Sequence, residues 1–143
     1  MEHVAIMKKA WGLIPKILDG RKKIESRWGK FRCAPWGKVN IGDTIYFKNS
    51  GEPVIVRAKV KKIKAFDNLD PQKVQDILWK YGGDDGISVF DLEKTSLWAK
   101  DKKYCTLIYL EDAKKVQTFN ISKVGFGAGA AWISTEDIGE IRA

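Results

Sequence analysis

Val54-Ile55-Val56-Arg57-Ala58-Lys59-Val60-Lys61-Lys62-Ile63 carries more of the fold than any other segment of this chain. Val54, Val56, Ala58 and Val60 occupy alternate positions, with Arg57, Lys59 and Lys61 between them, the pattern of a half-buried strand with a basic outer face. The alternation slips at Lys61-Lys62, because Ile63 falls on the wrong parity. One inserted residue restores it, so the spacing predicts a β-bulge there. A bulged strand bends, and bent strands belong to sheets that curl into barrels.

Working outward, His3 to Lys8, Lys22 to Trp28 and Asp43 to Lys48 alternate in the same way and read as strands. Tyr104 to Leu110 is apolar on both parities, the mark of a central strand, and Val116 to Ile121 reads as its partner across a Glu111-Asp112-Ala113-Lys114 connection. Helices interrupt the strands. Leu13, Ile14, Ile17 and Leu18 have helical spacing, Pro15 fits a first turn and Gly20 supplies a left-handed stop. Asp70-Pro71 opens a helix with Val74, Ile77, Leu78 and Tyr81 on one face, and Gly82-Gly83 ends it. Ser88 and Asp91 have capping-box spacing, which predicts a second short helix near 88–96. The expectation is a single α+β domain over residues 1–143, five or six strands curled into a small mixed β-barrel with short helices over its openings.

The 143 residues carry 26 Lys plus Arg against 18 Asp plus Glu, a net charge of +8. An apolar share of 44% with 31% charged residues is that of a folded globule and excludes general disorder. No segment reaches the roughly 18 to 20 apolar residues of a membrane span, and the N-terminus has no basic-then-apolar signal layout. The expected setting is the cytoplasm, away from membranes. Cys33 and Cys105 stand alone and His3, expected in a frayed end, is the only histidine, so disulfide scaffolds, thiolate-histidine metal sites and histidine-based triads are not expected. Neither a metal nor another cofactor is implied, and catalysis would fall to lysine, carboxylate, hydroxyl or tyrosine groups.

The charge is uneven: residues 1–64 hold 16 basic and 5 acidic side chains, a balance of +11, and residues 65–143 hold 10 and 13, a balance of −3. A positive field of this kind attracts polyanions by counterion release. Within it, Trp11, Trp28, Phe31 and Trp36 are interleaved with Lys8, Lys9, Arg27, Lys30, Arg32 and Lys38, the combination of rings and cations that base stacking and phosphate contact require. Residues 29–42, rich in Gly and Pro, read as a long loop or flap over a cleft. Gly125-Phe126-Gly127-Ala128-Gly129 lacks the Lys-Ser/Thr of a phosphate loop and reads as a loop edging that cleft, with Trp132 behind it. Tyr104 and Tyr109 are expected in the barrel core.

Lys22, Glu25 and Arg27 form the candidate site. Glu25 and Arg27 share one strand face and Lys22 can turn toward it from the strand end, giving either a satisfied ion cluster or a pocket that reads donor and acceptor edges. The pattern Gly20-x-Lys22-x-x-Glu25-x-Arg27, followed by Gly42-Asp43-Thr44-Ile45-Tyr46-Phe47 and Ser50-Gly51, resembles the ASCH domain of the PUA-like superfamily, and Ile108 to Leu110 resembles its closing strand. The resemblance implies a barrel whose cleft receives the Lys, Glu and Arg of the motif, and binding of RNA or modified nucleotides. Some small ASCH-like proteins are amidohydrolases acting on acylated cytidine, and others have been proposed as ribonucleases. Lys22 matches the amidohydrolase lysine, whereas Glu25 stands where those enzymes have threonine.

The leading expectation is therefore an RNA- or nucleotide-binding module. Gly20, Lys22, Glu25, Arg27 and Ser50 would border its cleft, Trp28 and Trp36 would supply stacking, and Arg32, Lys38, Lys59 and Lys61 would engage phosphate. A hydrolase using Lys22 and Glu25 on a modified nucleoside or an RNA bond is the second reading. A protein-interaction module with a basic face is the third.

Overall fold

A computed structural model describes residues 1–143. The chain runs β1 (Glu2–Met7), a 3-10 turn (Lys9–Trp11), α1 (Leu13–Leu18), β2 (Ile24–Gly29), β3 (Thr44–Asn49), β4 (Val54–Phe66), α2 (Pro71–Tyr81), α3 (Leu92–Ala99), β5 (Tyr104–Phe119), β6 (Trp132–Thr135) and a closing 3-10 turn (Ile138–Glu140). The strands form one mixed sheet in the order β2-β5-β4-β3-β1-β6, with β1 and β3 parallel and the other pairs antiparallel. The sheet curls into a half-barrel whose two edge strands, β2 and β6, are not paired with each other. No helix is long and apolar enough to cross a membrane.

The bulge expected at Lys61-Lys62 is present, since the β4–β5 register shifts between Val60 and Lys62. Two further shifts, at Val54/Val56 and Arg57/Lys59, bend the same ribbon. Burial follows the alternation: Val54, Val56, Ala58 and Val60 are all at most 1% exposed. Inside the curl Val56, Ala58 and Val60 join Ala5, Met7, Ile45, Phe47 and Ile108, and α1 covers them with Ile14 and Ile17, while Val54 packs with Val4, Tyr46 and Ile133. The amphipathic α2 packs Val74, Ile77 and Leu78 on Ile24, Cys105 and Leu107. Truncating one such anchor, Leu78→Ala, costs about 2–5 kcal/mol. Asp70 caps α2 by accepting from the Lys73 amide at 2.8 Å.

Several expectations are corrected. The two strands expected at 104–110 and 116–121 are one strand, β5, which continues through Glu111-Asp112 with Asp112 at φ +53°. Beyond Leu110 the inward residues are Ala113, Val116 and Phe119, spaced by three because bulges consume residues, so no period of two survives. The sixth strand is instead Trp132–Thr135. β2 begins at Ile24, leaving Lys22 in the turn before it. α3 starts at Leu92, and Ser88 bonds the Asp91 carboxylate at 3.0 Å from the preceding turn rather than capping the helix.

His3 is fully buried rather than frayed, because β1 lies between β3 and β6. Its Nε2 donates to Asp43 Oδ2 at 2.8 Å, so Nδ1 is the acceptor for the Ser134 hydroxyl at 2.8 Å and the Trp132 indole at 3.4 Å. Tyr104 and Tyr109 are half-buried, not core.

Candidate nucleic-acid interface

The unpaired edges of the half-barrel leave a seam, and Arg27 on β2 spans it. Its Nη1 donates to Ala131 O at 3.2 Å just before β6, and Nη2 reaches Ile6 O on β1 at 3.4 Å. The guanidinium also lies 5.2 Å from the Trp132 ring centre and 3.5 Å from Glu25 Oε2. This side chain does the closing work that backbone pairing does in a complete barrel.

Behind Arg27, an ion cluster wraps the start of β2. Lys22 is 2% exposed, and its three ammonium protons go to Ile24 O at 2.7 Å, Asp85 O at 2.7 Å and Asp85 Oδ1 at 2.6 Å, with Glu25 Oε1 at 3.4 Å. Asp85 Oδ2 accepts from Ser26 Oγ, which in turn accepts from the Trp28 indole at 3.2 Å. An unbroken chain of polar contacts thus runs from Trp28 through Ser26, Asp85, Lys22 and Glu25 to Arg27. Burial works against the Lys22 charge, but the Glu25 and Asp85 carboxylates outweigh it and hold the ammonium above its ordinary pKa. Burial also pushes Asp85 up, assisted by the Glu25 charge.

Asp85 is the site residue that sequence reasoning missed. It lies in Gly82-Gly83-Asp84-Asp85-Gly86, which reads as a turn after α2. The fold docks that turn on the entry to β2, where Asp84 O accepts from the Lys23 and Ile24 amides at 2.6 and 2.9 Å. Gly86, at φ +82°, packs on the Lys22 stem so closely that an added Cβ would stand 3.2 Å from Lys22 Cβ. A ligand-like signal in sequence was absent because the carboxylate comes from a segment about 60 residues downstream of its lysine.

In front of Arg27 the seam opens into a cavity of about 390 Å³. Trp28, Phe31, Trp36, Tyr104 and Trp132 wall it, together with Arg27, Thr106, Ala130 and Ala131. Trp36 meets Tyr104 edge-on at 5.0 Å, and the Arg32 guanidinium lies 5.5 Å from the Tyr104 ring centre. The 29–42 loop supplies one wall, and the segment before β6 the other. The cavity is therefore aromatic, with cations at its rim.

The expected site residues divide into three groups. Arg27, Trp28 and Trp36 line the cavity, and Arg32 reaches it through Tyr104. Lys22 and Glu25, 2% and 3% exposed, form the floor behind Arg27 and present no surface to the cavity. Gly20, Lys38, Ser50, Lys59 and Lys61 lie outside its lining. Gly20 ends α1 at φ +83°, Ser50 donates its amide to Met7 O, and Lys59 bonds Thr44 Oγ1 at 2.7 Å. No cluster of His, Cys, Asp and Glu with the makings of a metal site is present.

A curled mixed sheet with short helices and a cleft at its open seam defines a small α+β half-barrel domain. The ASCH protein of Zymomonas mobilis has the same fold in its crystal structure, at a TM-score of 0.68 and 16% identity, covering 99% of this chain and 96% of that one. The N-terminal domain of Staphylothermus marinus McrB is similar at a TM-score of 0.55 and 15% identity, covering 94% and 87%. The hypothetical protein PH0355 is similar at 0.53 and 20%, covering 81% and 100%. No family model and no curated protein matches the sequence.

Proposed function

We propose that this ASCH-type domain binds single-stranded nucleic acid or a nucleotide in the seam cavity, a base stacking among Trp28, Trp36 and Tyr104 while Arg27 and Arg32 meet phosphate or a base edge. The observation that carries this reading is an aromatic-walled cavity of about 390 Å³ with arginines, and no carboxylate, in its lining or over its rings. Stacking on aromatic side chains contributes about 1–3 kcal/mol per base and tolerates any sequence, because every base offers a π-face. The uneven charge of the chain, +11 over residues 1–64, would steer a polyanion toward the protein.

Lys22 and Glu25 serve this reading indirectly. Their buried cluster fixes the carboxylate that orients Arg27, so they position the guanidinium rather than touch the ligand. A hydrolytic step through Lys22 would require the ammonium to release a proton held by two backbone carbonyls and two carboxylates. Binding requires no such release.

Titration with single-stranded RNA, followed by tryptophan emission, tests the proposal. Trp36→Ala should weaken binding roughly 5- to 150-fold, the equivalent of about 1–3 kcal/mol, and Arg27→Ala should lower the dependence of log affinity on log salt by about 0.7, one phosphate contact on a single strand. Unchanged affinity in both variants would refute it.

A further inference from the structure

A second cavity, of about 470 Å³, opens beside the far end of β5, sharing no lining residue with the seam. Arg57, Lys115 and Arg142 line it together with Tyr46, Gln117 and Phe119, and no carboxylate does. Three cations therefore converge where the register sets Arg57 opposite Lys114 and Val56 opposite Lys115, and none of the three forms an ion pair within the chain.

Arg142 is held in a prepared position. Its guanidinium lies 4.0 Å from the Phe119 ring centre, and that ring is braced edge-on by Tyr46 at 5.7 Å. The backbone is pinned as well: Ile121 and Arg142 form a β-bridge, and Ser122 and Ala143 donate to Ile141 O and Asn120 O at 2.7 and 2.9 Å. A guanidinium stacked on a ring keeps its N–H fork free for an oxyanion and loses little side-chain freedom on binding. Glu2, which meets the groove lining at Tyr46, accepts from the Tyr46 hydroxyl at 3.2 Å and the Ile138 amide at 2.7 Å.

We propose that the groove of Arg57, Lys115 and Arg142 is a second nucleic-acid contact that holds the phosphodiester backbone of a strand extending beyond the seam cavity. The proposal rests on the nucleic-acid reading of the seam and deepens it by specifying a polymer rather than a lone nucleotide. Three cations sharing one solvent-open lining with the neutral hydrogen-bonding Gln117 and Thr118 suit a backbone of successive phosphates better than one enclosed anion. The two sites use opposite ends of one strand, Tyr104 and Thr106 for the seam and Lys115 to Phe119 for the groove, and the nearest of these, Thr106 and Lys115, are about 30 Å apart along an extended strand. Only a ligand of several nucleotides reaches both.

The test compares a trinucleotide with a single-stranded RNA of about 20 nucleotides. Lys115→Ala with Arg142→Ala should leave trinucleotide affinity unchanged. It should weaken the longer RNA about tenfold or more and lower its salt slope by about 1.4, two contacts at about 0.7 each. Lys115→Gln alone, at an exposed position that threatens no packing, should lower the slope by about 0.7. Lys94→Ala with Lys100→Ala, two exposed cations on and just after α3, should leave it unchanged. The proposal is overturned if the groove variants bind the longer RNA as wild type does, or if the α3 pair lowers the slope equally. Groove variants that weaken the longer RNA while Arg27→Ala and Trp36→Ala do not would uphold the groove and refute the seam.

Discussion

Asp85→Ala removes the carboxylate that accepts from Lys22 at 2.6 Å and from Ser26, leaving a 2%-exposed ammonium with two backbone carbonyls and Glu25 at 3.4 Å. Breaking a buried ion pair from one side costs about 3–5 kcal/mol, because the remaining charge stays out of water without its partner. That is a large part of the roughly 5–15 kcal/mol that separates folded from unfolded domains, and at this chain length it lowers Tm by roughly 10–20 °C. Urea and thermal unfolding followed by tryptophan emission give the value. Lys22→Met with Asp85→Leu removes both charges, so the double variant should lose less than the sum of its singles, by at least about 2 kcal/mol. A loss under about 1 kcal/mol for Asp85→Ala, or additivity in the double variant, would refute the picture of a dry ion cluster behind Arg27.

Asp43 gives an acid-side prediction. Burial raises its pKa, but hydrogen bonds from His3, the Asn40 amide and the Met1 ammonium outweigh this and hold it below the ordinary value. A carboxyl depressed in the folded state contributes stability above its unfolded pKa, near 3.9, and loses it as pH falls through the folded value. Wild type should therefore lose stability more steeply below about pH 4 than Asp43→Asn does, and parallel acid-unfolding curves would contradict the assignment. Gly86→Ala should cost about 1–3 kcal/mol, since it adds strain at φ +82° and crowds Lys22 Cβ, whereas Gly20→Ala, at φ +83° in open space, should cost about 1 kcal/mol. Equal unfolding midpoints for the two glycine variants would show that the turn is not packed on Lys22.

What the sequence disclosed was what local pattern encodes. The apolar stripe of α2 and the cap at Asp70 are complete within a dozen residues, and the bulge at Lys61-Lys62 leaves its mark as a parity slip. The middle of β5 was hidden because repeated bulges space Ala113, Val116 and Phe119 by three and because Glu111-Asp112 has the composition of a turn. His3 and Asp85 were hidden for a different reason. Each acquires its role from a partner more than 35 residues away, Asp43 for one and Lys22 for the other, and no periodicity carries such a pairing. The motif put Lys22, Glu25 and Arg27 together, but only the open edge between β2 and β6 shows which of them faces the cavity.

The six tryptophans provide the most direct test of the binding site. Trp28, Trp36 and Trp132 line the seam cavity, whereas Trp11, Trp79 and Trp98 are exposed elsewhere, at 54%, 51% and 54%. An NMR titration of the indole N–H signals with single-stranded RNA should move the first three and leave the resonances of Trp79 and Trp98, on the helices, in place. Shifts at Trp79 and Trp98 with none at Trp28, Trp36 and Trp132 would place the ligand on the helical face and contradict a nucleic-acid site at the seam.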